Sequence, residues 1–374
     1  LESDLNVLVG INGSGKSNFL RAFQLLKAGF DRKLQAQIIQ WGGINSIKNK
    51  GIVFKPLFYQ VVELNFTLEL DYFGSWDDGY KGPVIYKLRL IISDNDYTVD
   101  ESIENINGAK YFDSFNGAVA LSQEGKIEDF TPRRKMGGGK ELVMFNPLYE
   151  LGVENLDLIF SELRKVDIYR AFNTDEDAPM RNSIRATGVD KLLSNGDNMF
   201  QALNMVGLKS TTAYDAIEAG LHDVNEHFQR FRVNVYGQGV IEFLLQEKGL
   251  ETPIHAAQIS DGTLCYLCLL VALHQPDRGN TILFDEPERN LHPDMLYELA
   301  RQLEKASEKS QIILTTHSPN LLNQFPLRAV RVFEKDENNQ TIIKKFTEEQ
   351  FAGWYDGFVP GQMWSNGDLG GNRY

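Results

Sequence analysis

An α/β fold built on a mostly parallel core sheet is the architecture this sequence predicts, on three observations. A glycine-rich stretch, Gly10-Ile11-Asn12-Gly13-Ser14-Gly15-Lys16-Ser17, joins an apolar strand, Leu5–Val9, to a helix starting near Ser17. Two more short runs, Thr281–Phe284 and Gln311–Thr315, read as buried strands of the kind a covered parallel sheet requires. A helical segment from Pro293 to Glu308 connects them, and strand–helix–strand makes a parallel pair.

The glycine-rich stretch fits G-x-x-x-x-G-K-[ST], a phosphate cradle. Its glycines let successive N–H groups face inward at phosphate oxygens, and the next helix adds its positive end. Lys16 reaches the outer phosphates, and the Ser17 hydroxyl takes one position on Mg²⁺. A nucleoside triphosphate is the predicted ligand. The following helix places Phe19, Leu20, Phe23 and Leu26 on one face.

From Val53 to Ser122 the pattern changes. Val61–Leu70 and Val84–Ile92 alternate apolar and polar, so an antiparallel meander is expected after the first helix. Helical periodicity is read from Leu156 to Lys209 and on to Phe231. Val233–Val235 and Val240–Leu245 flank Gly237-Gln238-Gly239 as a hairpin, and Val330–Glu334 with Thr341–Phe346 form another. The expected division is a nucleotide-binding lobe with its β insertion (1–155), a helical lobe with a hairpin (156–257) and a C-terminal lobe (258–374). The chain opens at Leu1, almost on the phosphate loop, so a strand upstream that pairs beside Leu5–Val9 is expected.

Composition bounds the class. Hydrophobic residues at 42% with 24% charged indicate a globular chain. No apolar run approaches the roughly 18 residues of a membrane span, and acidic Glu2 and Asp4 do not resemble a signal peptide. The two cysteines, Cys265 and Cys268, argue against a disulfide framework and fit a reducing cytosol; they read as a buried helical face rather than a metal site. A net charge of −13 disfavours a surface that tracks DNA throughout, so any nucleic-acid contact is local or supplied by another subunit. The compact basic segment Arg133-Arg134-Lys135, followed by Lys140, reads as a solvated loop, with a phosphate-backbone contact as the alternative.

A second constellation follows the strand Thr281–Phe284. Asp285 and Glu286 stand at its C-terminal end, which in a doubly wound sheet faces the ligand crevice. Asp285 is suited to hold Mg²⁺, and Glu286 to orient and deprotonate a water attacking the γ-phosphate. His317 follows the next strand, in position to contact the γ-phosphate. Ser260-Asp261-Gly262-Thr263 heads the apolar helix Leu264–Leu273; Ser260 can cap it, and Gly262 allows close backbone approach to an anion.

Together these residues resemble the ATP-binding-cassette ATPases, in the branch of RecF-like and OLD-like predicted ATPases. Gly10–Ser17, extended to Asn18, resembles Walker A; Ile282–Glu286 resembles Walker B with its catalytic glutamate, and His317 the switch histidine. Ser260, Asp261 and Gly262 resemble the signature motif, and Glu288 through Leu291-His292-Pro293 the segment after Walker B. Asp177–Arg181, Leu193–Asn198 and the tail Leu369-Gly370-Gly371 are also similar to that group. The resemblance implies ATP and Mg²⁺, and two heads closing face to face so that Ser260 and Gly262 act on ATP held by the other subunit. Asp261 departs from the glycine of transporter cassettes and is expected to turn away from the polyphosphate and cap the helix. Gln60 is the candidate for the Q-loop glutamine, and a second protein contact to Mg²⁺ is left unassigned.

The expected function is a cytoplasmic, Mg²⁺-dependent ATPase head that dimerises around ATP, with a higher oligomer open. It would switch a nucleic-acid-processing or anti-phage partner carried on a separate nuclease or effector chain. The sequence shows no nuclease constellation, and no TOPRIM domain is expected after Tyr374. Alternatives are a non-catalytic ATP-binding scaffold that assembles or sequesters a partner, and a RecF-like DNA-repair ATPase whose closure builds a local basic groove. A transporter motor is disfavoured by the antiparallel insertion.

Overall fold

The computed structural model describes residues 1–47, 60–69, 79–93, 96–115, 118–123, 126–127, 139–142, 154–351 and 359–371. They form two compact units, residues 1–20 with 165–374 and residues 21–164. The strand β1 (Leu5–Val9) opens the first unit, and α1 (Lys16–Phe30) leads from it into the second.

The second unit holds α2 (Leu34–Gln40) and an antiparallel meander, with α3 (Glu154–Arg164) at its end. The meander runs in chain order through β2 (Gln60–Leu68), β3 (Val84–Ser93), β4 (Asp96–Asn105), β5 (Lys110–Phe115), β6 (Ala118–Gln123) and β7 (Lys126–Ile127). Alternation in β3 turns Val84, Tyr86, Leu88, Leu90 and Ile92 inward, as the sequence period requires. The rings of Tyr86 and Phe112 meet Phe160 of α3 edge-on, with centroids 6.3 and 6.0 Å apart. Gln60 is buried at the head of β2. Arg133, Arg134 and Lys135 lie outside the described residues; Lys140 is paired with Asp96 at 2.8 Å.

The first unit resumes with β8 (Val166–Tyr169), β9 (Ile184–Arg185), α4 (Met199–Lys209) and α5 (Thr211–Val224). The strands β10 (Phe228–Tyr236), β11 (Val240–Glu247) and β12 (Ile254–His255) form a small antiparallel sheet, with β9 also on β11. Then come α6 (Asp261–His274), β13 (Thr281–Asp285), α7 (Leu296–Ser307), β14 (Gln311–Thr315) and α8 (Pro319–Leu322). A hairpin of β15 (Val330–Lys335) and β16 (Thr341–Lys345) and a last helix, α9 (Pro360–Asn366), end the described chain. The core sheet has the order β16-β15-β1-β14-β13-β8, parallel throughout except at the β15–β16 edge.

Packing follows pattern. The α6 stretch Leu264–Leu273 is buried at every position, so this helix is core on all sides. In α7 the spacing of Leu296, Leu299, Ala300, Leu303 and Ala306 buries one stripe only. Each fully buried leucine contributes about 1.5–3 kcal/mol relative to exposure. Among the described residues no helix is long and apolar enough to cross a membrane.

Three expectations need correction. The helical periodicity read from Leu156 onward is interrupted: α3 ends at Arg164, β8 follows at once, and residues 170–198 are mostly irregular. A four-residue strand carrying Asp167 has too little alternation to read as one. The hairpin strand β10 also starts earlier, at Phe228, in a stretch read as helix. The strand expected upstream to pair beside β1 has no place there, because β1 pairs β14 on one side and β15 on the other. As for the division at 155/156 and 257/258, the packing places everything from Lys165 onward with the first twenty residues.

Candidate active site at the strand ends

Three strands of the core sheet end in register. Thr315 is paired with Leu8 of β1 on one side and Asp285 of β13 on the other. Whatever follows each strand therefore emerges at one edge of the sheet. After β1 comes the phosphate loop; β13 ends on Asp285 and is followed by Glu286; after β14 come Thr316 and His317.

The loop has the backbone its glycines were expected to permit. Gly10, Gly13 and Gly15 have φ of +148°, +84° and +116°. A Cβ on Gly15 would lie 2.2 Å from Thr341 Oγ1 of β16, and one on Gly10 2.4 Å from the Phe333 carbonyl oxygen. The Thr341 hydroxyl donates to the Ser14 carbonyl at 2.9 Å, bracing the loop from outside. Ser14 is buried and its hydroxyl has no partner. The Lys16 ammonium is buried and donates to the carbonyls of Gly10 (2.5 Å) and Ile11 (3.3 Å). Asn12, Gly13, Ser17 and Asn18 are exposed on the rim.

The acids are fixed by Thr315, a residue the sequence reading gave no role. Its hydroxyl donates to Asp285 Oδ1 at 2.7 Å and accepts from the Glu286 amide at 3.1 Å. Glu286 has φ +54°, a conformation non-glycine side chains seldom adopt, and Thr315 holds its amide there. His317 Nε2 lies 3.6 Å from Glu286 Oε1. Glu288 reaches across from the segment after β13, accepting from the Thr316 hydroxyl at 2.5 Å and the His317 amide at 3.2 Å. Only its place in the E-x-x-L-H-P segment marked it beforehand.

Charges couple across this edge. Burial lowers the Lys16 pKa, while Glu286 and Asp285 act to raise it. Burial and the Lys16 charge lower His317, against the pull of Glu286 and Asp285, so its imidazole is neutral at pH 7. Burial pushes the Glu288 carboxyl up, with its Thr316 and His317 hydrogen bonds opposing.

The residues present suit a triphosphate and its metal. An orphaned buried hydroxyl (Ser14), a lysine held by carbonyls alone and a glycine cradle make an anion site. A hydroxyl at Ser17 and a carboxylate at Asp285 are the oxygen donors Mg²⁺ prefers.

Ser260, Asp261 and Gly262 stand apart from this cluster. Among the described residues no hydrogen bond or ion pair links them to the phosphate loop. Ser260 caps α6, its hydroxyl accepting from the Thr263 amide at 3.2 Å. Asp261 is turned onto Arg181 and does not cap the helix as expected, because Ser260 holds the cap position and the guanidinium takes the carboxylate. A Cβ on Gly262 would stand 3.2 Å from the Asn290 carbonyl oxygen. In the segments Asp177–Arg181 and Leu193–Asn198 single side chains organise the backbone around them. Arg181 grips the chain before α6, and the Asn198 side chain ties Val189, Lys191 and Leu193 together with three backbone hydrogen bonds. In the tail, Gly371 packs on Val332 and lies close to Gly10.

Comparison with known proteins adds the following. A family model described as "AAA domain, putative AbiEii toxin, Type IV TA system" matches residues 5–323. "Uncharacterized protein MJECL43" of Methanocaldococcus jannaschii is 32% identical over 93 residues, 23% of this chain and 24% of that protein. The match thus spans about a quarter of that relative's length. A crystal structure of an SmcHead bound to the C-winged helix domain of ScpA is similar at 12% identity, covering 93% of each chain with a TM-score of 0.47. An Smc head domain with an extended coiled coil, bound to the C-terminal domain of ScpA derived from Pyrococcus furiosus, gives 13% identity. That likeness covers 94% of this chain and 92% of the other, with a TM-score of 0.46.

Proposed function

The chain belongs to that family of AAA-domain ATPases, and from this premise we propose that it is a cytoplasmic ATP-hydrolysing head. In this reading two copies close around ATP, and the closure switches a partner carried on a separate nuclease or effector chain. The observation that carries the reading is the convergence at one sheet edge of Lys16, Asp285, Glu286 and His317, with Glu286 and His317 3.6 Å apart.

Lys16 exchanges its two carbonyl partners for the outer phosphates as the triphosphate enters the cradle of Asn12–Asn18. Ser17 and Asp285 are the residues that would hold Mg²⁺, which supplies charge neutralisation to the phosphates when bound. Glu286 accepts the proton of the attacking water. Neutral His317 donates a hydrogen bond toward the γ-phosphate, so its position depends on whether that group is present. Ser260 and Gly262 have no nucleotide of their own to hold; in this reading they meet the triphosphate bound by the second copy, the α6 N-terminus facing the anion.

The test is the Glu286→Gln variant on a sizing column with light scattering. With ATP and Mg²⁺ it should run at twice the monomer mass and turn over at least about 100-fold more slowly than the parent. Normal turnover in that variant removes Glu286 as the base. ATP bound stoichiometrically with no turnover in the parent points instead to a scaffold.

A further inference from the structure

Asp261 poses an electrostatic problem. It is the first residue of α6, beside Ser260 and Gly262, and a carboxylate there opposes the approach of a polyphosphate. The structure places a guanidinium against it. Arg181 Nη2 is paired with Asp261 Oδ1, Nη1 donates to the Ile259 carbonyl at 2.8 Å, and Nε donates to the Thr174 carbonyl at 2.8 Å. The Arg181 side chain is only 10% exposed whereas Asp261 is 59% exposed. The arginine is thus the buried member of the pair, and the aspartate the solvent-facing one. Its rigid fork spans the strand of chain that leads into the helix, which an ammonium on a flexible stem could not do. A Cβ on Gly262 would meet the Asn290 carbonyl oxygen at 3.2 Å, so the segment is also closely packed there.

We propose that Arg181 is a positioning and charge-neutralising residue for the α6 start. It pins the backbone from Ile259 to Asp261 and cancels the Asp261 charge, which lets that helix end accept the triphosphate bound by a second copy of this chain. The proposal rests on the dimer reading above. Arg181 acts through Asp261 and the backbone, not on the reacting atoms.

The experiment compares the full-length chain with Arg181→Ala, Asp261→Ala and the double variant. ATP-driven dimerisation is followed by light scattering, and binding of a fluorescent ATP analogue by the monomer is measured at low protein concentration. Arg181→Ala should weaken dimerisation on the order of 10- to 100-fold while monomer binding of the analogue stays within about twofold. Asp261→Ala alone should dimerise at least as well as the parent. The double variant should regain most of what Arg181→Ala loses, because the charge that needed cancelling is gone. A misfolded Arg181→Ala would also lose monomer binding of the analogue, which sets it apart from a specific loss of dimerisation. Parental dimerisation in Arg181→Ala, or a double variant no better than it, overturns this proposal while leaving the dimer intact. A parent that never dimerises with ATP defeats the dimer reading, and this proposal with it.

Discussion

Glu288 and Thr316 share a 2.5 Å hydrogen bond that joins the segment after β13 to the end of β14. The same carboxylate oxygen takes the His317 amide, so the backbone that aims the imidazole at Glu286 is set from the neighbouring strand. Glu288→Ala strands a hydroxyl and an amide and frees His317 to drift. Misplacement by about an ångström can cost on the order of 100-fold, so kcat for ATP should fall about 10- to 100-fold with KM nearly unchanged. Glu288→Gln keeps an acceptor oxygen in place and should retain most of the rate. Steady-state kinetics decide it: equal losses in both variants mean that the carboxylate charge, not the hydrogen bonds, is what matters.

The two inner glycines of the phosphate loop should differ in tolerance. A methyl group at Gly15 would overlap the Thr341 side chain and also sit at φ +116°, so Gly15→Ala should abolish ATP binding. At Gly13 nothing lies within 4 Å of the added carbon and only the positive φ resists, so Gly13→Ala should weaken binding by no more than about 10- to 100-fold. Thr341→Val removes the bond to Ser14 and should raise the ATP Kd about 3- to 10-fold. Calorimetric titration separates the three; Gly15→Ala binding as well as Gly13→Ala would show that β16 does not brace the loop.

How much of this was legible follows from where each signal lives. Gly10–Ser17, the paired acids after Thr281–Phe284 and the helix cap at Ser260 are local patterns; the loop does join a strand to a helix, the acids do stand at a strand end, and Ser260 does cap α6. The meander was legible too, because β3 keeps a strict two-residue period over ten positions. What the sequence hides is the tertiary partner. Thr315 and Thr341 are ordinary strand residues until the sheet order puts one beside Asp285 and the other beside Gly15. Arg181 lies 80 residues before Asp261 in the chain. The strand β8 escapes because it is short and carries a buried charge that only tertiary contacts satisfy.

That charge, Asp167, is itself testable. It is 4% exposed, accepts the Gly279 amide at 2.6 Å and pairs with Lys191 at 2.7 Å. Removing one partner of a buried pair leaves the other uncompensated. Lys191 is about a third exposed, so solvent screens part of the loss, and Lys191→Ala should cost about 1–2 kcal/mol. Asp167→Asn keeps an acceptor for Gly279 and should cost less. Thermal unfolding midpoints rank them; Asp167→Asn falling further than Lys191→Ala would show that the carboxylate's bond to the Gly279 amide, rather than an uncompensated charge, governs this corner.

Acid should destabilise the chain through His274. Burial lowers its pKa below the ordinary 6.5, Arg278 and Lys305 add to that, and the hydrogen bond to Gln302 opposes it. The unfolded chain then accepts a proton that the folded one resists. The contribution is therefore fully present above pH 6.5 and is lost as pH falls through the lower folded value. His274→Gln keeps a partner for Gln302 without a titrating ring. Between about pH 7.5 and 5.5 its melting temperature should fall less than the parent's. His317 is shifted in the same direction, so His274→Gln leaves part of the slope and a His274→Gln/His317→Gln double variant should flatten it further. Identical slopes in parent and both variants would place the acid sensitivity elsewhere.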